Sequence, residues 1–270
     1  MTSRAPTSSP QSGLAYAVRV LVRWLAGWWQ VVYFGAQICV LALSPTSYAG
    51  PHRAVLARQM VLNTAPVLLW FTLLCAIVTL VITRIVVVTA LSYGLSQYAL
   101  QVVIRVLVLE LIPLTAALFV ALRSTIASSA ELSAMRHSGQ LDALQQSGID
   151  PVRREVLPRV VAGIFATITL AALSCVVALV LAYVAVYGFT LSALPAYTRL
   201  FGQVFNPAVT LIFVLKTLFF GLAVSLIPMA SALYDGAAHE GRHSSELRAL
   251  ARMFVVILLI EVASLVGNYY

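Results

Sequence analysis

The sequence predicts an all-α polytopic membrane protein, and three observations carry that prediction. Hydrophobic residues make up 61% of the 270 positions and charged residues 10%, against about 25% charged in an ordinary soluble domain. Mean hydropathy is +0.96, so water alone cannot solvate the surface. The charges also collect at the borders of long apolar runs and form no amphipathic stripe.

A spanning helix needs roughly 20 apolar residues, and charge placement delimits five such runs. Residues 59–83 hold no charge between Arg58 and Arg84, giving a span at 64–88. Residues 85–104 are uncharged and 106–122 hold only Glu110, giving 99–125. The uncharged stretch 160–198 is too long for one span and breaks near Gly188 and Pro195, which leaves 157–186. Residues 200–234 hold only Lys216 and 253–270 only Glu261, giving 208–233 and 247–268. Asn206-Pro207 and Asp150-Pro151 each pair an N-cap residue with a proline at the first helical position. Pro158, just beyond, should bend its helix near the membrane surface.

Arginine placement orients the bundle, because cytoplasmic loops carry the excess of Lys and Arg. The connection between spans two and three holds Arg136, Arg153, Arg154 and Arg159, and that between four and five holds Arg242, Arg248 and Arg252. The other side has Arg84, Arg105 and Arg199. The N-terminus is therefore expected inside the cell, with residues 1–13, polar and rich in Ser and Pro, disordered. They lack the apolar core and cleavage site of a signal peptide. Residues 14–63 form a helical elbow region. Within it, 14–43 is apolar enough to span, yet Trp24, Trp28 and Trp29 beside Arg19 and Arg23 suit a helix lying in the headgroup region. The interfacial placement also keeps the arginine pattern on one side.

Composition excludes several functions. The net charge of +8 is topological and headgroup-directed; no basic stripe with interleaved aromatics exists, and no nucleic-acid partner is expected. Cys39, Cys75 and Cys175 sit in apolar runs as small core residues. His239 and His243 have an i, i+4 spacing with no third ligand in view, and His52 and His137 read as surface residues; no metal or cofactor is expected. Lys216-Thr217 lacks the glycines of a phosphate-cradling loop, and no nucleophile elbow or paired catalytic carboxylates occur. The chain is read as non-catalytic.

Residues 123–159 are not needed to cross a bilayer. They form a polar insertion with Leu132, Met135, Leu141 and Leu144 at helical spacing, either a solvated loop helix or a surface for a cytoplasmic partner. The run Glu131, Leu132, Met135, Gln140, Asp142, Ala143, Leu144, Gly148, Asp150, Pro151, Arg153, Pro158 and Arg159 resembles the signature of the MlaE/YrbE permease family, which serves Mla- and Mce-type ABC lipid transporters. Glu110-Leu111-Ile112-Pro113, Leu215-Lys216-Thr217 and Glu261 echo further family positions, so the likeness covers roughly residues 50–268. Ser133, Gly139 and Leu109 depart from it, standing where Gly, Glu and Arg are usual, and 241–245 keeps only part of its motif.

The resemblance implies a permease domain over 64–268 in a bacterial inner membrane. It would pair as a homodimer, or a heterodimer with a paralogue, and move phospholipid or a related lipid. A separate ABC ATPase subunit would drive it, and an MCE-domain lipid-binding protein would meet it on the outer side. It also implies a coupling helix at about 130–146, with Glu131, Met135, Arg136, Gln140, Asp142 and Leu144 facing the ATPase.

Glu110, Lys216 and Glu261 need explanation on physics alone, since a central charge costs about 2.5 to 3.5 kcal/mol on insertion scales. At 1.5 Å per residue each lies about 5 to 8 Å from its span's midpoint, on the outward side. One lysine and two glutamates at one depth can meet, either as the lining of a lipid cavity or as an ion pair pinning spans four and five to span two. Arg84 and Arg105, near the outer ends of spans one and two, would face an outer partner or anchor in headgroups. The competing function is a membrane scaffold that recruits a cytoplasmic protein through 130–159 without moving substrate. An intramembrane enzyme lacks any catalytic constellation.

Overall fold

The computed structural model describes residues 10–44, 51–94, 96–234 and 242–269, of which the side chains of 10–25, 51–53, 96–97, 242–245 and 269 are not placed. Residues 1–9 of the expected disordered segment, His239, and the side chains of Arg19, Arg23, Trp24, His52 and His243 lie outside the described residues. Among those described the chain is helical throughout, without a strand.

Helix α1 runs over Pro10–Leu43, starting ahead of the expected residue 14, and α2 over Pro51–Ser92 with Pro66 inside it. Next comes one rod of several windings: α3 (Ser96–Val103), a π segment (Ile104–Leu111), α4 (Ile112–Val120), a second π segment (Ala121–Thr125) and α5 (Ile126–His137). After α6 (Gln140–Gln146) and a third π turn (Val152–Val156), α7 covers Leu157–Tyr187. Then follow α8 (Leu194–Val204), α9 (Pro207–Tyr234) and α10 (Arg242–Tyr269). Six of these helical stretches are long and apolar enough to cross a membrane, the five expected ones and Ala26–Leu43.

The local chemistry explains the boundaries. Asn206 Oδ1 accepts the Val209 N–H at 2.8 Å, and Asp150 Oδ1 accepts the Val152 N–H at 3.0 Å, so both residues cap as their side chains suggest. Pro158 stands in the first turn of α7, directly after the π segment over Val152–Val156; its missing N–H leaves the Arg154 carbonyl without an i+4 donor, which accords with the irregular winding there. The coupling helix expected as one piece over 130–146 is two helices. Gly139 adopts φ +74° between α5 and α6, a left-handed conformation that costs other residues roughly 1–2 kcal/mol. The chain therefore turns where one helix was expected to continue.

Three apolar clusters stack along the bundle. At one end, Leu100, Ile104, Leu107, Val108 and Ile112 meet Cys175, Ala178, Tyr197 and Val204. In the middle, Phe71, Ala116, Ala117, Leu170, Phe220, Val224 and Met253 join α2, α4, α7, α9 and α10. At the other end, Phe34 and Ile38 of α1 pack with Leu132, Leu141, Val156, Leu226 and Met229. Outside these clusters α2 exposes Leu69, Trp70, Leu73, Leu74 and Ile77. A surface of that kind is at home against hydrocarbon.

Helices α7 and α9 approach closely because small residues meet at their crossing. A Cβ on Gly221 would stand 3.3 Å from Ile164 Cα, and one on Gly163 would stand 2.4 Å from Ser225 Oγ. Gly221 faces backbone, which cannot swing aside as a side chain can. Gly221→Val is therefore expected to force the helices apart and destabilise the bundle by about 1–3 kcal/mol. Thermal unfolding in detergent checks this, with Gly202→Ala, whose Cβ would meet open space, as the control that should not lower the midpoint.

Candidate functional site

The charged residues singled out within the spans are brought together. The first π segment ends near Glu110, α9 presents Lys216 and α10 presents Glu261. Lys216 is buried, and its Nζ donates to Glu110 Oε2, lies 2.8 Å from Glu261 Oε2 and donates to the Leu109 carbonyl at 3.3 Å. The Phe220 ring lies 5.7 Å from the ammonium, adding a cation–π contact. Pairing and hydrogen bonding of this kind offset part of the cost of taking ionisable groups out of water.

Asn268 completes the group, donating from Nδ2 to Glu110 Oε1 at 3.2 Å. The sequence reading passed over it. The signal was there, because Asn268 follows Glu261 by two helical turns and so shares its face. The Leu109 carbonyl could not have been found that way. It is available because its i+4 neighbour is Pro113, which has no N–H to give it, and the winding there is π, a form that often marks functional positions.

The elbow between the second and third expected spans forms the second constellation. Arg159, at the start of α7, is 7% exposed. Its Nη1 donates to the Glu155 carbonyl at 2.7 Å and to Glu155 Oε2 at 2.8 Å. Its Nη2 lies 3.5 Å from Glu131 Oε2 and 3.9 Å from Met135 Sδ. One guanidinium thus ties α5, the third π turn and α7 together. Arg159 belonged to the motif but received no role from the sequence.

Of the residues expected to face an ATPase, Met135, Gln140 and Leu144 line a groove of about 380 Å³ with Ala143, Ser147 and Glu155. Glu131 and Asp142 are exposed and Arg136 is half-buried. Asp142 sits in the first turn of α6, where a negative charge suits the helix dipole. Arg84 is exposed on α2, and Arg105 is half-buried in the first π segment. Neither joins an ion pair among the described residues, so the structure does not gather them into either constellation.

Helix α8, between α7 and α9, was not anticipated. The Tyr197 hydroxyl donates to the Leu179 carbonyl at 2.8 Å, and the Tyr197 ring packs against Tyr183 and Tyr187. Burial, and secondarily the neighbouring Tyr187, push the Tyr197 phenol up to about 12, so it remains a donor throughout the physiological range. The Tyr183 hydroxyl likewise reaches the Thr190 carbonyl, closing the turn after α7.

An apolar bundle with six membrane-length helices, a buried ion cluster and a polar elbow defines a multi-pass α-helical membrane protein. The chain belongs to the MlaE permease family, whose description, Permease MlaE, matches residues 56–266. A protein of Rickettsia prowazekii named "Probable ABC transporter permease protein" is 29% identical over 172 residues, taking in 62% of this chain and 66% of its own length. A namesake of Rickettsia conorii is also 29% identical, and one of Rickettsia typhi 28%, over the same extent. The chain's match thus spans just under two thirds of these relatives.

Proposed function

We propose that the chain is the membrane subunit of an ABC transporter that moves phospholipid or a related lipid between a bacterial inner membrane and an MCE-type lipid-binding protein on the outer side. It works as a dimer, and a separate ATPase subunit hydrolyses the nucleotide. The observation that carries this reading is the elbow. Helices α5 and α6 present a groove lined by Met135, Gln140 and Leu144, and Arg159 ties the wall of that groove to α7. A partner seated there would push on spans two and three together, a rigid-body transmission through packed helices. A passive recruiting surface has no use for a buried tie of this kind, nor for three ionisable side chains gathered among the spans. Family membership and the names of the Rickettsia relatives support the transporter reading.

In this reading the elbow is cytoplasmic and α1 lies along the inner surface. Phe34 and Ile38, its buried anchors, belong to the inward cluster with Leu132 and Leu141, which suits an interfacial helix.

Purification of the full complex in mild detergent, with mass spectrometry of bound lipids and subunits, tests the proposal. An ATPase and phospholipid are expected to co-purify, and recovery of neither would overturn it. On the same cells, a membrane-impermeant thiol reagent should fail to reach Arg136→Cys until the membrane is opened. Labelling from outside would invert the topology.

A further inference from the structure

The intramembrane cluster has more acceptors than donors. Lys216 owns three N–H groups, and each already faces an oxygen, of Glu110, Glu261 or Leu109. Asn268 gives its Nδ2 to Glu110 Oε1, the amide orientation a carboxylate acceptor demands. That orientation leaves Asn268 Oδ1 buried without a donor. With both carboxylates ionised, two negative charges share one positive charge. The Lys216 side chain is 1% exposed, against 12% for Glu110 and 17% for Glu261. The carboxylates are thus more exposed than the ammonium they share.

We propose that this cluster receives a primary ammonium, the headgroup amine of an aminophospholipid, and that the phosphate of the same headgroup lies elsewhere. This names the substrate class of the lipid permease described above and rests on that reading. A phosphate would find only the second N–H of the Asn268 amide and would enter a field of its own sign, which is strongly felt where the dielectric is low. A quaternary ammonium brings charge but no N–H, and the cluster offers no aromatic cage for it, since its ring contact, Phe220, already serves Lys216. A primary ammonium supplies one positive charge, making the site neutral, and three donors for the unmatched oxygens. The charge alone could also come from a small monocation such as K⁺, and a proton on a carboxylate would cancel it as well.

The test uses the full chain in detergent with short-chain phosphatidylethanolamine, phosphatidylcholine and phosphatidylglycerol, binding being read by native mass spectrometry. Phosphatidylethanolamine is expected to bind about tenfold more tightly than phosphatidylglycerol, with phosphatidylcholine between them, since charge complementarity sets the order. Glu261→Gln, which neutralises the cluster, should erase that order, and the wild-type comparison stands whether or not this variant folds. Replacing choline chloride with KCl at constant ionic strength should leave the preference intact. Loss of the preference in KCl would assign the site to a monocation and overturn the headgroup proposal. Equal binding of all three lipids would also overturn it, leaving a protonated carboxylate as the neutralising device and the permease reading untouched. Binding of none would sink the lipid-permease reading itself.

Discussion

Lys216→Met should lower the stability of the bundle by about 3–5 kcal/mol, the usual cost of removing one partner from a buried ion pair. The cause is what stays behind. Glu110 and Glu261 both lean on the one ammonium, and without it two carboxylates face each other among apolar helices. Against a total stability of roughly 5–15 kcal/mol, such a loss should be plain in the thermal unfolding midpoint of the detergent-solubilised protein. The triple variant Lys216→Met, Glu110→Gln, Glu261→Gln removes every charge while keeping much of the shape. It should recover most of the lost stability, because replacing a whole buried ionic group by neutral side chains is often close to neutral. A single variant that melts like the wild type would show that the charges contribute nothing to holding α9 and α10 against the first π segment.

The triple variant also separates the two roles open to the cluster. If the ions only pin helices, a stable neutral variant should still transfer lipid from donor to acceptor vesicles in the presence of its ATPase. If they line the lipid path, transfer should fail in a protein that remains folded. The excess of acceptors over donors favours failure. A group built only to pin helices has no reason to leave Asn268 Oδ1 buried and unmatched.

Much of this was legible because the bilayer constrains sequence so strongly. Each apolar run had to be a helix, since backbone polar groups in hydrocarbon must be satisfied within the segment. The rare charges therefore marked both the ends of helices and the exceptions inside them. The meeting of Glu110, Lys216 and Glu261 followed from depth alone. Their common depth could be estimated from 1.5 Å per residue, without knowing which helices were neighbours.

What remained hidden depended on windings and turns that composition does not encode. The sequence around Glu110 is as apolar as any helix interior, and its one sign of irregular winding is Pro113, which denies the Leu109 carbonyl its i+4 donor. Gly139 stood out as a departure from the family pattern, but its φ of +74° is what turns that departure into a break between α5 and α6. Helix α8 was read only as the break after α7. Its buried Tyr197 fits a gap between helix ends that no local pattern describes. Arg159 was hidden for a different reason. As one arginine among several in a basic loop it counted as topology, and only burial shows it to be a tie.

That tie gives the second large effect. Arg159→Met should destabilise the elbow by about 2–3 kcal/mol, below the range for a fully buried pair because Glu131 is 64% exposed and keeps its water. The functional loss should be larger than the structural one. Helix α5 continues from span two and α7 carries span three, and Arg159 is the side chain that bonds Glu155 while reaching Glu131 and Met135. Without it, a partner pressing on Gln140 and Leu144 would move the elbow without moving α7. On the proposed lipid-permease reading, ATP-dependent lipid transfer is therefore expected to fall at least about tenfold, with the ATPase still co-purifying, because Gln140 and Leu144 still line the groove. Arg159→Lys should rescue only part of this, since an ammonium cannot span the Glu155 carbonyl, the Glu155 carboxylate and Glu131 in the fixed fork of a guanidinium. Transfer at the wild-type rate in Arg159→Met would remove the mechanical role assigned to the elbow. Loss of the ATPase from the purified complex would instead put Arg159 in the docking seat itself.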